Sequence, residues 1–549
     1  MSDRADGTFA PLRSSTFRSI WISSMVAHTG SLIQSVGSAW SMAEMSTPDR
    51  VALVQTATFL PMALFAIPAG AVADMYDRRL VQIVSLALAL GGAALMTAAS
   101  LMGLMTPAVL LGFCFLIGCG AALFGPAWQT SAGEQVPPAL LPQAVGLNGV
   151  SYNVARSLGP ALGGVIVAAL GATAAFAANA LCYLPILFAL GRWKRQVEVS
   201  RLPPEGLVRA VTSGIRYVAN MPPARTAILR AFITCLLGGA LQSLLPLVSR
   251  DLLGGDARTF GLLLGCFGVG AVSGIFVLQP MRTRFGNENV LRSCAIVLAI
   301  GMAVLSLSHS LLLSCAVLLA SGVAWMVAVT VISIVLQLSV PRWVVGRTVA
   351  SMHAAVALGV ALGAWEWGAI TRDHGVDTAL QVAAALMLAS PLLGLVLRLA
   401  DRESSIESDT RALADPDVRL GISGRSGPIS IEVVYRIPID KARDFYNLMR
   451  ELQRKRSRNG AYDWSLSRDI ADPETWSERF RCPTWDDYLR LRSRRTLDES
   501  EIFARAGALH FGIEPIRVKR WLDRPSGSVR WRDEAPDRGN AELKMPGQH

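Results

Sequence analysis

Twelve long apolar stretches, each parted from the next by a short polar break, constrain this chain more than any other feature. They run over residues 16–42, 51–73, 80–104, 107–130, 144–170, 172–191, 225–250, 258–281, 288–309, 310–338, 347–370 and 376–399. Crossing the hydrocarbon core of a bilayer takes roughly 20 mostly apolar residues. Inside lipid no water satisfies the backbone, so such stretches must be helical. The composition agrees: 52% of the 549 residues are hydrophobic and 17% are charged, against about a quarter charged in soluble domains. The expected fold is therefore all-α membrane, with twelve transmembrane helices in two six-helix halves. The polar N-terminus precedes a long first apolar segment from Phe17 without a convincing cleavage site, which predicts an uncleaved insertion signal.

A net charge of +11 could suggest nucleic acid, but its placement suggests topology. With the N-terminus inside, the inner segments hold Arg4, Arg13, Arg18, Arg78 and Arg79, then Arg192, Lys194, Arg195, Arg201, Arg209, Arg216 and Arg225, and later Arg282, Arg284, Arg292, Arg342 and Arg347. The outer loops hold only Arg50, Arg250, Arg258 and Arg372. That bias predicts a multi-pass protein of the bacterial inner (cytoplasmic) membrane with both termini cytoplasmic. Seven of the eight cysteines fall within spans and no C-x-x-C pair occurs, so apolar packing is expected of them and no metal site.

The predicted organisation is an N-terminal half over 1–191, a connection over 192–224, a second half over 225–400, a linker over 401–427, a soluble domain over 428–524 and a disordered tail over 525–549. Leu207, Val211, Ile215 and Val218 recur at helical spacing in the connection, which predicts an amphipathic helix at the interface. In the soluble domain Ile429, Ile431, Val433, Tyr435 and Ile437 alternate with polar residues as a strand does. Ala442, Phe445, Met449 and Leu452 then trace one face of a helix. Strand-like runs around Tyr462–Leu466 and Trp476–Phe480, a helical stretch over 485–509 and a last strand near Val518 complete a βαββαβ order, hence an α+β ferredoxin-like domain.

The sharpest motif lies between spans 2 and 3, where Gly70, Asp74, Asp77, Arg78 and Arg79 follow one another in a short turn. Gly70 would permit close helix approach, Asp74 would cap a helix or pair with a cation, and the arginines would anchor the inner end or clasp the other half. The spacing resembles the loop motif of the major facilitator superfamily, with Met75 where a basic residue is common and Asp77 where glycine is usual. Its second-half counterpart, Pro280 to Gly286, is worn. Span 5 carries Asn153, Arg156, Gly159, Pro160, Gly163 and Gly164, similar to the antiporter motif of drug-exporting facilitators. There proline bends the helix and the glycines let a neighbour approach. A cation such as Arg156 is costly in an apolar helix unless it faces a cavity or a partner.

The stretch 113–164, with Gly30, Gln34 and Trp40 in span 1, resembles the transmembrane secretion effector branch, which includes enterobactin and macrolide exporters. The resemblance implies export of a small organic molecule by alternating access, coupled to a proton gradient, with no cofactor. Ser31 and Cys114 stand where relatives often place an acid and an arginine, which leaves coupling through those positions open. Gln34, Gln129 and Trp325 are candidate cavity liners or simply packing groups. Glu366, between Trp365 and Trp367, is either a proton carrier or an interfacial acid. The C-terminal domain is similar to antibiotic-biosynthesis monooxygenase-like dimeric α/β barrels. That implies a homodimer through this domain and a pocket near Asn447, Tyr462, Trp464 and Trp476. The alternative reading is a membrane-tethered monooxygenase-like or ligand-sensing domain acting on the cargo. Expected partners are a small-molecule substrate and the bilayer, and no nucleic acid.

Overall fold

The computed structural model describes residues 9–137, 140–193, 216, 218–340, 342–399, 416, 418–493, 497–511 and 515–523. Most of the amphipathic segment 207–218, most of the linker, the tail, and the side chains of Asp74 and Asn153 lie outside the described residues. The chain divides into two compact units, one of long helices and one holding the C-terminal sheet together with short helix-end segments at 218–225, 338–340 and 342–345.

The helical unit comprises α1 (Ser15–Met45), α2 (Pro48–Met75), α3 (Arg78–Leu101), α4 (Pro107–Ser131), α5 (Leu141–Leu170), α6 (Ala172–Arg192), α7 (Pro222–Leu247), α8 (Ala257–Leu307), α9 (Leu311–Leu338), α10 (Arg342–His374) and α11 (Val376–Ala389). Local chemistry sets many of their ends. Pro48 and Pro107 open helices where a missing N–H costs nothing. The side chains of Asp77 and Asp256 accept backbone N–H bonds at the starts of α3 and α8. Gly171 alone, at φ 79°, separates α5 from α6. Gly286, at φ 76°, breaks the 51-residue α8 into two arms, 257–285 and 287–307; that backbone conformation strains any residue with a Cβ.

Among the described residues, nine helices are long and apolar enough to cross a membrane, α8 among them as one piece. Their outward faces carry Leu95, Leu101, Leu170, Phe188, Phe276 and Leu312, all exposed. Apolar surface of that extent needs a lipid partner in a stable protein. Polar side chains instead turn inward and tie neighbours within a half. Asn179 of α6 donates to Gln34 of α1, and Ser31 lies 3.0 Å from the Tyr183 hydroxyl.

The second unit contains β1 (Ile429–Arg436), β2 (Tyr462–Arg468), β3 (Thr475–Cys482) and β4 (Arg517–Leu522), ordered β2-β3-β1-β4 and antiparallel throughout. Ile431 of β1 stands opposite Phe480 of β3 on one side and Arg520 of β4 on the other. The inward row of β1 packs against Phe445, Leu448, Met449 and Leu452 of α12 (Ala442–Arg458). The predicted helix over 485–509 is two, α13 (Trp485–Ser493) and α14 (Leu497–Leu509). On β3 the inward row reads Trp476, Glu478, Phe480, Cys482, so a carboxylate lies in the core.

Candidate functional site

The two helical halves meet along α5 and the first arm of α8. A Cβ on Gly164 would lie 2.8 Å from the Cα of Gly261, and one on Gly265 would lie 3.5 Å from the Cβ of Ala161. Gly268 continues the row beside the backbone of Arg156 and Ser157. Only residues without side chains allow two helices this close. Gly159 and Gly163 face the other way, onto Leu32 and Ile33 of α1. The span-5 motif thus uses its glycines on two neighbours: α1 of its own half and α8 of the other.

Further contacts between the halves gather at the same end of the bundle. Thr56 of α2 donates to the carbonyl of Ala361 in α10 at 2.7 Å, and Gly368 approaches the Asp49 backbone. Trp40 stacks on Phe260 at 6.4 Å, and Arg250 bonds the carbonyl of Ala43. At the opposite end a Cβ on Gly146 or Gly149 of α5 would meet no described atom within 4 Å. Among the described residues, the close approaches between the halves gather at the end bearing Gly164 and are absent beside Gly146 and Gly149.

Arg156 sits where the seam gives way to the opening. Its guanidinium lies 5.7 Å above the Phe267 ring, half-buried, and no carboxylate among the described residues pairs with it. A cation held by an aromatic face in a low-dielectric crevice favours an acceptor or anionic group on whatever enters.

The other predicted residues separate into distinct environments. Gly70 does not serve close packing: a Cβ there would meet no described atom within 4 Å. Asp77, rather than Asp74, supplies the described cap, accepting from the N–H of Arg79 at 2.8 Å. Arg78 pairs with Glu134 at 2.8 Å. Arg79 bonds the carbonyls of Leu190 and Gly191 at 2.8 and 2.6 Å, satisfying the open end of α6. Both arginines therefore bond inside the first half. Pro160 is buried in α5, with its carbonyl against Gly261. Gln34 faces α6, not a cavity; Gln129 is exposed near the end of α4. Trp325 covers Gly238 within the second half, a space-filling role. Glu366 is exposed beside the exposed Trp365, while Trp367 is buried and donates to Leu236.

A charge cluster escaped sequence reading. Glu288, at the start of the second arm of α8, accepts from Arg230 at 3.3 Å, Arg292 at 3.1 Å and the backbone N–H of Leu399 at 3.0 Å. The Glu288–Arg292 spacing of four residues on one helix face was its only local signal. It ties the starts of α7 and of that arm to the chain beyond α11, as Arg79 ties α3 to α6.

In the C-terminal unit a cavity lies between the sheet and α12–α14. None of Asn447, Tyr462, Trp464 or Trp476 lines it. Asn447 is exposed, and Trp476 packs in the core against Phe445. Trp464 donates to Glu478 at 3.0 Å. No group of three or more metal-ligating side chains occurs among the described residues.

The profile of a transmembrane secretion effector family matches residues 6–526. A staphyloferrin A transporter of Staphylococcus aureus is 25% identical over 49% of this chain and 68% of its own length. A multidrug efflux pump, Tap, of Mycobacterium bovis is 26% identical over 38% of this chain, and the match spans about half, 52%, of that pump. An uncharacterised facilitator-type transporter of Bacillus subtilis, YfiS, is 24% identical over 64% of this chain and 85% of its own. Among solved structures, the nucleoside transporter NupG superposes with a TM-score of 0.59 at 12% identity, covering 70% of this chain and all of NupG. A bacterial homologue of the lysosomal transporter Spinster gives 0.54 at 15%, over 70% of this chain and 95% of the homologue. At such identities these two speak to the fold.

Proposed function

The chain belongs to the transmembrane secretion effector family of major facilitator transporters, which are not enzymes, and from that premise we propose that it exports a small organic molecule by alternating access, driven by the proton gradient. The helical unit is read as twelve spans: α1 to α7, the two arms of α8, and α9 to α11. With the basic end of the bundle inside, both termini are cytoplasmic and the parted end faces the cytoplasm, an inward-open state. The C-terminal unit is read as a ferredoxin-like domain on that side.

The observation that carries this reading is Arg156, a half-buried cation with no carboxylate partner among the described residues, at the point where the α5–α8 seam opens. Cargo entering from the cytoplasm would reach it at the inner end of the opening, where the seam begins. Closing the open end requires the seam to part, so the glycine row is the hinge of the cycle and Arg78 and Arg79 brace the first half. The relatives named for siderophore and multidrug transport favour a cargo of the secondary-metabolite kind. The test compares extracellular and intracellular metabolite pools of a deletion strain carrying the wild-type gene or Arg156→Ala. A compound retained without the gene, released by wild type, held back by the variant and held back again by an uncoupler is the expected result. Release that persists under the uncoupler rules out proton coupling; pools that do not respond to the gene rule out export.

A further inference from the structure

The helices of the C-terminal unit do not close fully over its sheet. A cavity of about 290 Å³ remains between β1, β3, β4 and the three helices, near the lower end of the roughly 300–1,000 Å³ usual for small-molecule pockets. Its floor is apolar, made by Ile431, Val433 and Phe480, with Leu491 and Ile516 at the sides. α12 lines this gap through Leu452, Lys455 and Arg456, and α13 and α14 line it through Leu491, Arg492 and Phe503.

The charges around the gap are sorted. Arg456 lies between the Phe480 and Phe503 rings, 4.3 and 4.6 Å from their centroids, and its charge is answered by the buried Glu478 at 3.2 Å. Glu499 is answered by Arg458 at 2.7 Å and by the amide of Asn459 at 2.9 Å. The lining carboxylate Glu499 is thus paired with Arg458, and the lining Arg456 with Glu478 behind it. Arg520 is different. It is exposed on β4, its Nε donates to the Tyr488 hydroxyl at 2.7 Å, and among the described residues no carboxylate pairs with it. Arg492 leans on the same Tyr488 ring, 5.9 Å from its centroid. The Arg520 guanidinium beside a buried phenol, at the edge of an apolar hollow, presents donors and positive potential to whatever fills the hollow. A planar guanidinium fork matches a carboxylate or similar oxyanion geometrically.

We propose that this cavity binds a small organic anion with a flat apolar body, its acid group on Arg520 beside Arg492 and its body against Ile431, Val433 and Leu491. Such a site makes the C-terminal unit a ligand-binding module in its own right. A neutral ligand of the same shape would fill the hollow but leave Arg520 without a counter-charge, so the charge on the ligand is the discriminating property. Occupancy here is separate from the exporter reading, since it requires neither cargo nor a gradient.

The experiment uses the full-length chain in nanodiscs, titrated calorimetrically with 2-naphthoate and with its neutral analogue 2-naphthylmethanol. The expected result is 2-naphthoate binding that weakens about tenfold or more in Arg520→Gln, a loss of one strong charge-assisted pair, and that Arg520→Lys partly restores. The neutral analogue should bind at least as poorly as 2-naphthoate does to Arg520→Gln. Val518→Trp, which fills the hollow from β4, should abolish binding, and it decides the matter should Arg520→Gln fail to fold. Equal affinity for the two compounds, unchanged affinity in a folded Arg520→Gln or in Val518→Trp, or no binding of 2-naphthoate at millimolar concentration overturns the proposal.

Discussion

A Cβ on Gly261 would lie 2.6 Å from the Cα of Gly164, and one on Gly164 would lie 2.8 Å from the Cα of Gly261. Neither glycine can gain a methyl group without moving a backbone. Replacing Gly261 by valine should therefore spread α5 from α8, at a cost of about 1–3 kcal/mol typical of overpacking. In the proposed cycle this seam exists only while that end is closed, so the variant should favour the alternative state. Paired cysteines at Thr56 and Ala361, which meet across α2 and α10 at the same end, should cross-link less in Gly261→Val than in the parent. Unchanged cross-linking would place the seam outside the conformational cycle.

The helical framework was legible because its signal is long and redundant. Each span repeats apolar residues over twenty or more positions, and breaks such as Gly171 and Gly286 carry their own conformational demand. The span-5 motif was legible for a related reason, as glycines at 159, 163 and 164 can be explained only by close neighbours. What could not be read is which neighbour. Gln34 looked like a cavity liner because an amide in an apolar helix needs a partner, yet the partner, Asn179, is 145 residues away. The same holds for Glu478, whose strand position was plain but whose burial depends on Arg456 and Trp464 arriving from elsewhere. Of the pocket residues chosen for aromatic character, Trp476 is core, Trp464 is half-buried against Glu478 and Tyr462 is exposed. The cavity instead belongs to positions such as Tyr488 and Arg520, brought together only by the packing of α13 over β4.

Arg79 bonds two carbonyls at the end of α6 and, among the described residues, no group of the second half. Arg79→Ala should leave those carbonyls short of a charged donor, costing about 1.5–3 kcal/mol. The expected result is a lower melting temperature in detergent, with transport per folded molecule little changed. A variant that melts like the parent but transports at a different rate would instead assign Arg79 to gating.

Glu288 holds Arg230 and Arg292 together, and both Glu288 and Arg230 are almost fully buried. Glu288→Ala leaves two cations facing each other and the Leu399 N–H without its acceptor. Removing one partner of a buried pair costs about 3–5 kcal/mol, so the purified variant should unfold at markedly lower temperature. The double change Glu288→Leu with Arg230→Met should recover much of the loss, because an apolar pair of similar size carries no desolvation cost. Failure of that rescue would mean the cluster does more than compensate its own charges.

Cys482 ends the inward row of β3 at 1% exposure, and burial pushes its thiol up to about 12. The folded thiol is harder to ionise than the unfolded one at 9.0, which fixes the sign of the pH dependence. Below the unfolded value neither state is ionised and the thiol contributes nothing to pH dependence. As pH rises from there toward the folded value, only the unfolded chain loses the proton, so stability of this unit falls. Iodoacetamide at pH 8 should accordingly leave Cys482 unmodified in the native protein and alkylate it once denaturant opens the unit, a difference read by mass spectrometry of the peptide. A Cys482→Ser variant should flatten the alkaline loss of stability without removing it from the neighbouring ion pairs. Rapid native alkylation would show that β3 frays from β1 at this end, since only local opening gives the reagent access to a thiolate there.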